Sequence, residues 1–353
     1  MTRERELPRA EAALANAQMT ENQRVSAPDL LPRAHAAIGA GVAFLERTQL
    51  PDGELPTMRW RRGDPEAPWR DRTVFGTALV AVSIAGVRGV ERVVARAADS
   101  IESQTLRFGI WKYSPDYGGG FPPDLDDTAM ASLALRLAGR EVPDNTHAFL
   151  ANRNRDGLFF TWLSPRLRWL RDPRMWLIAA ARWRHPFVHY RAFRVAGARE
   201  HDLDAVVNAN VLYYLGRTAA TEPIVPFLLR VLRERAEVGC DKWYDHRLGI
   251  WYFLSRALRH AGAGARPLLL ERLRSEPVET PLEHAFAACV LLDCDAPADA
   301  HIASIVETQL DSGGWPRAMV YGDEWDGRGS ESLTTAFCLE ALSRWIARTP
   351  PQE

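Results

Sequence analysis

Lysine is nearly missing: Lys112 and Lys242 are the only two in 353 residues, so 42 of the 44 basic side chains are arginine. Cysteine is scarce too. Cys240, Cys289, Cys294 and Cys338 form no CxxC pair, which excludes a disulfide scaffold and leaves no zinc-ribbon spacing. The last three lie in apolar helical runs and read as buried, inert thiols, so a reduced cytoplasmic protein is expected. Net charge is −1, which leaves no electrostatic footprint for nucleic acid. No run approaches the ~18 uninterrupted apolar residues of a membrane span. The N-terminal charges are followed by no apolar run, so residues 1–30 read as a flexible tail and not as a secretory signal. Strand-like alternation is also missing. With 46% hydrophobic residues, disorder as the main state is excluded. Tryptophan, by contrast, is abundant at 12.

Internal repeats decide the architecture. Six segments share a polar or acidic start followed by a helix apolar nearly all round. They begin at Arg72, Asp124, Asp202, Tyr244, Pro281 and Ser330. Each follows an amphipathic helix, at about 32–48, 89–104, 141–152, 222–236, 265–274 and 298–309. All-round apolar helices need neighbours on every side; amphipathic ones need one covered face. The expected fold is therefore all-α: an (α/α)6 barrel of inner and outer helices over residues 31–348, with an insertion at about 158–199. The loops carry a second repeat: Gln49…Gly53, Gln104…Gly109-Ile110-Trp111, Asn154…Gly157 and Gln309…Gly314-Trp315. Glycine permits the turn after the outer helix, and the amide side chain can bond open backbone groups at the helix end.

At Asp124-Leu125-Asp126-Asp127-Thr128-Ala129 three carboxylates fall within one turn, after Pro122-Pro123. Capping accounts for one or two of them: Asp124 as N-cap, the others favoured by the helix dipole. Three carboxylates in a low-dielectric mouth cannot all ionise cheaply, so one keeps its proton. Such an acid can protonate an alkene or epoxide. The resulting carbocation needs a dry cavity walled by aromatic faces.

The segment Asp124–Ala129 resembles the DxDDTA motif of class II terpene cyclases, which include squalene–hopene cyclases and diterpene cyclases. The Gln…Gly-x-Trp loops resemble that superfamily's glutamine–tryptophan repeat, and the likeness covers most of 32–345. It implies protonation-initiated cyclisation of an isoprenoid or prenyl diphosphate. Asp126 would be the general acid, with Asp124 and Asp127 holding its geometry and protonation. No cofactor is implied, and Mg enters only if the substrate is a diphosphate; no DDxxD motif for metal-assisted ionisation is visible. Members of the superfamily place the site between two barrels. Here either one barrel closes its own cavity, or a homodimer mate or other subunit completes it. A non-catalytic isoprenoid-binding or scaffold barrel is the alternative. Protein prenyltransferase β-subunits share the barrel, but their Asp-x-Cys and distant His zinc ligands have no counterpart here.

Inner-helix starts share one end of such a barrel, which gathers further candidates. Trp111, Tyr113, Asn208, Tyr244, His246, Trp251, His284 and Trp315 are placed with the substrate site. Asn208 and Asn210 lie inside an apolar helix, where an amide needs a partner, either a neighbouring inner helix or the site itself. His246 and His284 are candidates to tune Asp126 or relay the final proton. In the insertion, Trp169, Trp176 and Trp183 are seven apart and would share a helix face. Arg166, Arg168, Arg171, Arg174, Arg182, Arg184, Arg191 and Arg194 there offer three uses: contact with an anionic membrane surface, a diphosphate-binding lid, or cover for the barrel or a dimer mate.

Overall fold

The computed structural model describes residues 27–114, 120–180, 186–259 and 264–349. The inner helices are α2 (Val74–Ile84), α4 (Leu125–Leu137), α8 (Ala205–Leu215), α10 (Arg247–Leu258), α12 (Pro281–Asp293) and α14 (Glu331–Ile346). Each packs on the next, and α14 returns to α2, so the ring closes. Their all-round apolar character follows from that placement: every residue of α2 is buried. Outside lie α1 (Ala27–Thr48), α3 (Glu91–Ser103), α5 (Thr146–Ala151), α9 (Ile224–Arg233), α11 (Ala265–Leu273) and α13 (Asp299–Glu307). The repeat reading thus gives the barrel. Helix α1 begins inside the tail expected at 1–30; residues 1–26 lie outside the described residues.

Two of the loops, at Gln49 and Gln309, lock one repeat to the next in the same way. Gln49 Nε2 donates to Gly53 O and Val93 O, both at 2.9 Å, and Gln309 Nε2 donates to Gly313 O and Ala37 O. Gly53 and Gly313 both have φ of +85°, and a Cβ there would meet a backbone carbonyl at 2.0 and 2.5 Å, so only glycine fits. Trp111 Nε1 donates to Ile101 O at 2.9 Å, and Trp315 Nε1 to Ile305 O at 2.7 Å. Their backbone N–H groups donate to Thr128 and Thr335 of the following inner helices. Leu55 N pairs likewise with Thr77, and Phe159 N with Asn208. Trp315→Ala is expected to lower stability by about 3–5 kcal/mol, as for other buried Trp truncations. Chemical denaturation of wild type and variant measures it.

Strands appear where none was expected. Strands β1 (Thr57–Arg61), β2 (Asp64–Asp71), β3 (Tyr321–Gly322) and β4 (Asp326–Gly329) form an antiparallel sheet in the order β2-β1-β4-β3. Asp326-Gly327-Arg328-Gly329 has no apolar alternation, and its partner β1 lies at the other end of the chain, with Arg61 opposite Asp326. The pairing is closed by tertiary structure, which a local pattern cannot show. The sheet caps the rim where α2 and α14 begin.

The insertion holds a 3-10 turn (Leu167–Arg171), α6 (Pro173–Ala180) and α7 (Pro186–Val195). Pro173 breaks the run, so Trp169 and Trp176 do not share one helix as expected. Trp169 is buried with Nε1 on Ala151 O, Trp176 is half-buried on α6, and Trp183 lies outside the described residues. Cys289, Cys294 and Cys338 are buried free thiols. Among the described residues, no helix is long and apolar enough to cross a membrane.

Candidate active site

Helix α4 starts where the chain stops being extended. Asp124 has φ −133° and ψ 171°, and its Oδ1 accepts the Asp127 N–H at 2.7 Å, which is N-capping. Leu125 N bonds Thr161 O and Leu163 N bonds Pro123 O, so the segment after α5 runs antiparallel beside this start and holds it. Asp124 is spent on the cap, Asp127 is buried, and Asp126 is the more open of the two toward a cavity that all three line. The three acids therefore differ by position on one helical turn.

Asp126 is held by two neutral donors. Asn210 Nδ2 donates to Oδ1 at 2.6 Å and the Tyr244 hydroxyl donates to Oδ2 at 3.1 Å. Burial pushes its carboxyl up to about 7, against the Asn210 bond, and the Asp124 charge adds to the rise. Asp124 is pushed up to about 6 by burial, and Asp127 well above the carboxylate range by burial and by Asp124. Asp127 Oδ2 is buried without a hydrogen-bond partner among the described residues. Two more buried acids stand behind these. Asp204 accepts the Thr161 hydroxyl at 2.6 Å; Asp241 accepts the N–H groups of Val206, Trp243 and Tyr244, which fixes the loop that carries Tyr244. Burial raises both, Asp204 to about 6. So many acids in one rim cannot all be ionised at neutral pH; Asp124, Asp126 and Asp127 all line the cavity, and Asp126 is the least buried of the three.

That space is a cavity of about 530 Å³, its mouth included. This lies within the roughly 300–1,000 Å³ of small-molecule sites. Its walls are mainly aromatic. Phe121 stacks on Trp162 with centroids 4.9 Å apart, and Trp243 meets Phe121 edge-on at 5.6 Å. Opposite, Tyr321 meets Phe75 edge-on at 5.2 Å and contacts Tyr113 and Tyr244 at 6.2 Å each. Faces of this kind stabilise a cation without offering it a nucleophile. A second chamber of about 550 Å³ shares Tyr113, Phe121 and Arg328 with the first and adds Arg59 and Asp71. There Arg328 Nε donates to Asp71 at 3.1 Å, and the Tyr113 hydroxyl donates to the same Asp71 oxygen at 2.8 Å.

Of the residues singled out from sequence, Asp124, Asp126, Asp127, Tyr113 and Tyr244 line this cavity. Trp111 and Trp315 are fully buried in the repeat locks. Asn208 is a lock residue as well: it takes the Phe159 N–H at 2.9 Å and returns Nδ2 to Phe159 O, in the position that Thr128 and Thr335 fill elsewhere. Its neighbour but one, Asn210, is the amide that reaches Asp126. Trp251 is in the core with Nε1 on Glu237 at 3.1 Å. His246 pairs with Glu283 at 2.8 Å; burial would raise Glu283, but that bond and the capping N–H groups hold it down to about 2. His284 faces His301, ring nitrogens 2.9 Å apart, and burial lowers both. Neither histidine lines the cavity. Phe75, Phe121, Trp162, Trp243, Tyr321 and Arg328 line it without having been singled out.

Two curated relatives align with this chain. Drimenol cyclase of Aspergillus calidoustus is 28% identical over 235 residues, 63% of this chain and 38% of that protein. Squalene–hopene cyclase of Bradyrhizobium diazoefficiens is 31% identical over 135 residues, 35% of this chain and 19% of that protein. Over these stretches the chain is similar to a drimenol cyclase and to a squalene–hopene cyclase. It spans less than two fifths of the length of either of these relatives. No protein-family profile matches it. Among solved structures, the type II terpene cyclase MstE from Scytonema, in complex with its product merosterolic acid A, superposes with a TM-score of 0.66 at 14% identity. The match covers 91% of this chain and 99% of that one. A protein from Actinoplanes gives 0.63 at 21% identity, over 89% and 99%. At such identities these likenesses speak for the fold alone.

Proposed function

We propose that this chain is a class II terpene cyclase that starts cyclisation of an isoprenoid by proton transfer from Asp126. The observation that carries the reading is one carboxyl, held between two neutral donors, facing an aromatic cavity. A carboxyl so placed keeps its proton up to near neutral pH, and an apolar substrate filling the aromatic cavity displaces the water that would compete for it. The O–H bond of Asp126 breaks and its electron pair stays on the carboxylate. A C–H bond forms at one carbon of a substrate double bond, and the adjacent carbon becomes the cation. Internal double bonds then close rings against the aromatic walls, and loss of a proton or capture of water ends the sequence. Asp124 holds the helix start, and Asp127 remains protonated beside it.

The relatives' names point to an isoprenoid chain. The second chamber suits a polar end group, but Arg59 and Arg328 there are already matched by Asp326, Asp71 and Asp323, so its charge does not select a diphosphate. Prenyl diphosphates and neutral polyprenes of several lengths, incubated with the protein and read by mass spectrometry, test the reading. A cyclised isomer of one substrate is expected; no turnover across both classes would contradict it.

A lipophilic substrate also explains helix α7. His189 and Phe193 face inward: His189 Nδ1 meets Gly120 O at 3.1 Å, and the Phe193 ring lies 5.2 Å from Trp162. Phe187, Tyr190, Arg191, Arg194 and Val195, at helical spacing i, i+3, i+4, i+7, i+8, face outward, with Phe187 86% exposed. We propose that this face rests on an anionic lipid surface beside the cavity, its apolar side chains buried and its arginines on headgroups. The protein is expected to sediment with phosphatidylglycerol vesicles more than with phosphatidylcholine. Phe187→Glu should cut binding by roughly tenfold to a hundredfold, a Phe burial being worth roughly 1.5–3 kcal/mol. Equal sedimentation of wild type and variant would remove the proposal.

A further inference from the structure

Arg256 on α10 is a buried guanidinium with no carboxylate in hydrogen-bond contact among the described residues; Glu340, which accepts the Tyr252 hydroxyl, acts on it at longer range. Its hydrogen-bond partners among the described residues are Asn210 Oδ1 at 2.5 Å, Met130 Sδ at 3.2 Å and the Tyr252 hydroxyl at 3.3 Å. Three rings surround it, Phe253 at 4.6 Å, Tyr213 at 4.7 Å and Tyr252 at 5.2 Å. Its Nε has no partner among the described residues. A desolvated charge is costly unless it acts on something. What it acts on is Asn210, and Asn210 touches Asp126.

We infer that Arg256, through the side-chain amide of Asn210, sets the acid strength of Asp126 and makes Oδ2 the oxygen that releases the proton. This rests on the reading of Asp126 as proton donor. A guanidinium only donates, so the Asn210 atom facing it is the carbonyl oxygen. The amide therefore turns its N–H₂ to Asp126 and cannot accept from it. The short 2.6 Å bond goes to Oδ1, which is then the carbonyl oxygen of the acid, the better acceptor. The proton belongs on Oδ2, beside the Tyr244 hydroxyl and the cavity.

The separation matters. A guanidinium bonded directly to Asp126 would hold it ionised, with no proton to give. One amide away, the charge polarises the Asn210 N–H without stripping the acid. As the Oδ2–H bond breaks and a C–H bond forms on the substrate, negative charge spreads to Oδ1, against that polarised N–H. The interaction strengthens in the transition state, which is the condition for raising turnover. Asp124, Asp127, Asp204 and Asp241 oppose ionisation of Asp126; Tyr244 and Arg256 favour it, and Glu340 lies beyond Tyr252.

Infrared titration of protein labelled with 13C-carboxyl aspartate, wild type minus Asp126→Asn, reads the Asp126 carboxyl without any substrate. In Arg256→Met its midpoint is expected to move to higher pH by about one unit, a tenfold weaker acid. Turnover should fall by roughly tenfold to a hundredfold with KM within twofold, and Arg256→Lys should recover part of both. Asn210→Leu breaks the same relay without touching Arg256 and should give the same two changes. An unmoved midpoint in folded Arg256→Met or Asn210→Leu protein, or a change in KM alone, overturns the inference. Full activity of Asp126→Asn would instead overturn the proton-donor reading and leave the titration result standing.

Discussion

Asp126→Asn is expected to abolish product formation, by roughly a thousandfold or more, at the upper end of what a general acid contributes. The substitution is isosteric. The new Asn oxygen can still accept from Asn210, and its N–H₂ can donate to the Tyr244 oxygen, so both contacts can be made, the second with its direction reversed. Loss of a raised, buried carboxyl also removes a group that opposes folding at neutral pH. The variant should therefore keep its circular dichroism and unfold no earlier than wild type. A folded variant within tenfold of the wild-type rate would show that the proton comes from elsewhere.

The second large effect is on pH. Asp126 must be protonated to act, and burial holds its carboxyl near 7. Turnover should be level below that and fall about tenfold per unit above it, so that pH 9 gives roughly a hundredth of the plateau. A catalyst using an ionised carboxylate would show the opposite limb, rising through the ordinary carboxylate range. Stability follows the same sign. Asp124, Asp126 and Asp204, raised to about 6, 7 and 6, keep protons that the unfolded chain releases at lower pH. Their contribution is whole below the unfolded pKa and is lost as pH rises through 6 to 7. The rate must therefore be followed together with the unfolding midpoint at each pH. A flat profile from 6 to 9 in folded protein contradicts the assignment.

The barrel was legible because its two kinds of helix differ in how many faces they bury, and that is written in apolar spacing. The acid turn was legible because a cap, a proline pair and three carboxylates fall together. The cavity walls were not. Trp111, Tyr113 and Trp315 look alike in sequence; only the bonds of Trp111 and Trp315 Nε1 to the ends of outer helices separate locks from walls. Asn208 and Asn210 stand two residues apart, roughly 200° around the helix at 3.6 residues per turn. One therefore faces the repeat lock and the other Asp126. Their shared signal, an amide in an apolar helix, could not say which. Arg256 carried a similar signal, a charge inside an all-round apolar helix, lost among so many arginines. The sheet that brings Tyr321 and Arg328 to the cavity depends on pairing between the two ends of the chain, with no local pattern to announce it.

The central claim is that a proton from Asp126, exchangeable with solvent, enters the product. Turnover of an isoprenoid substrate in deuterium oxide, followed by mass spectrometry and NMR of the cyclised product, measures this directly. The account predicts one deuterium at a single carbon, the one that receives the initiating proton, and none in product made in ordinary water. A product formed at full rate in deuterium oxide that carries no deuterium would contradict it.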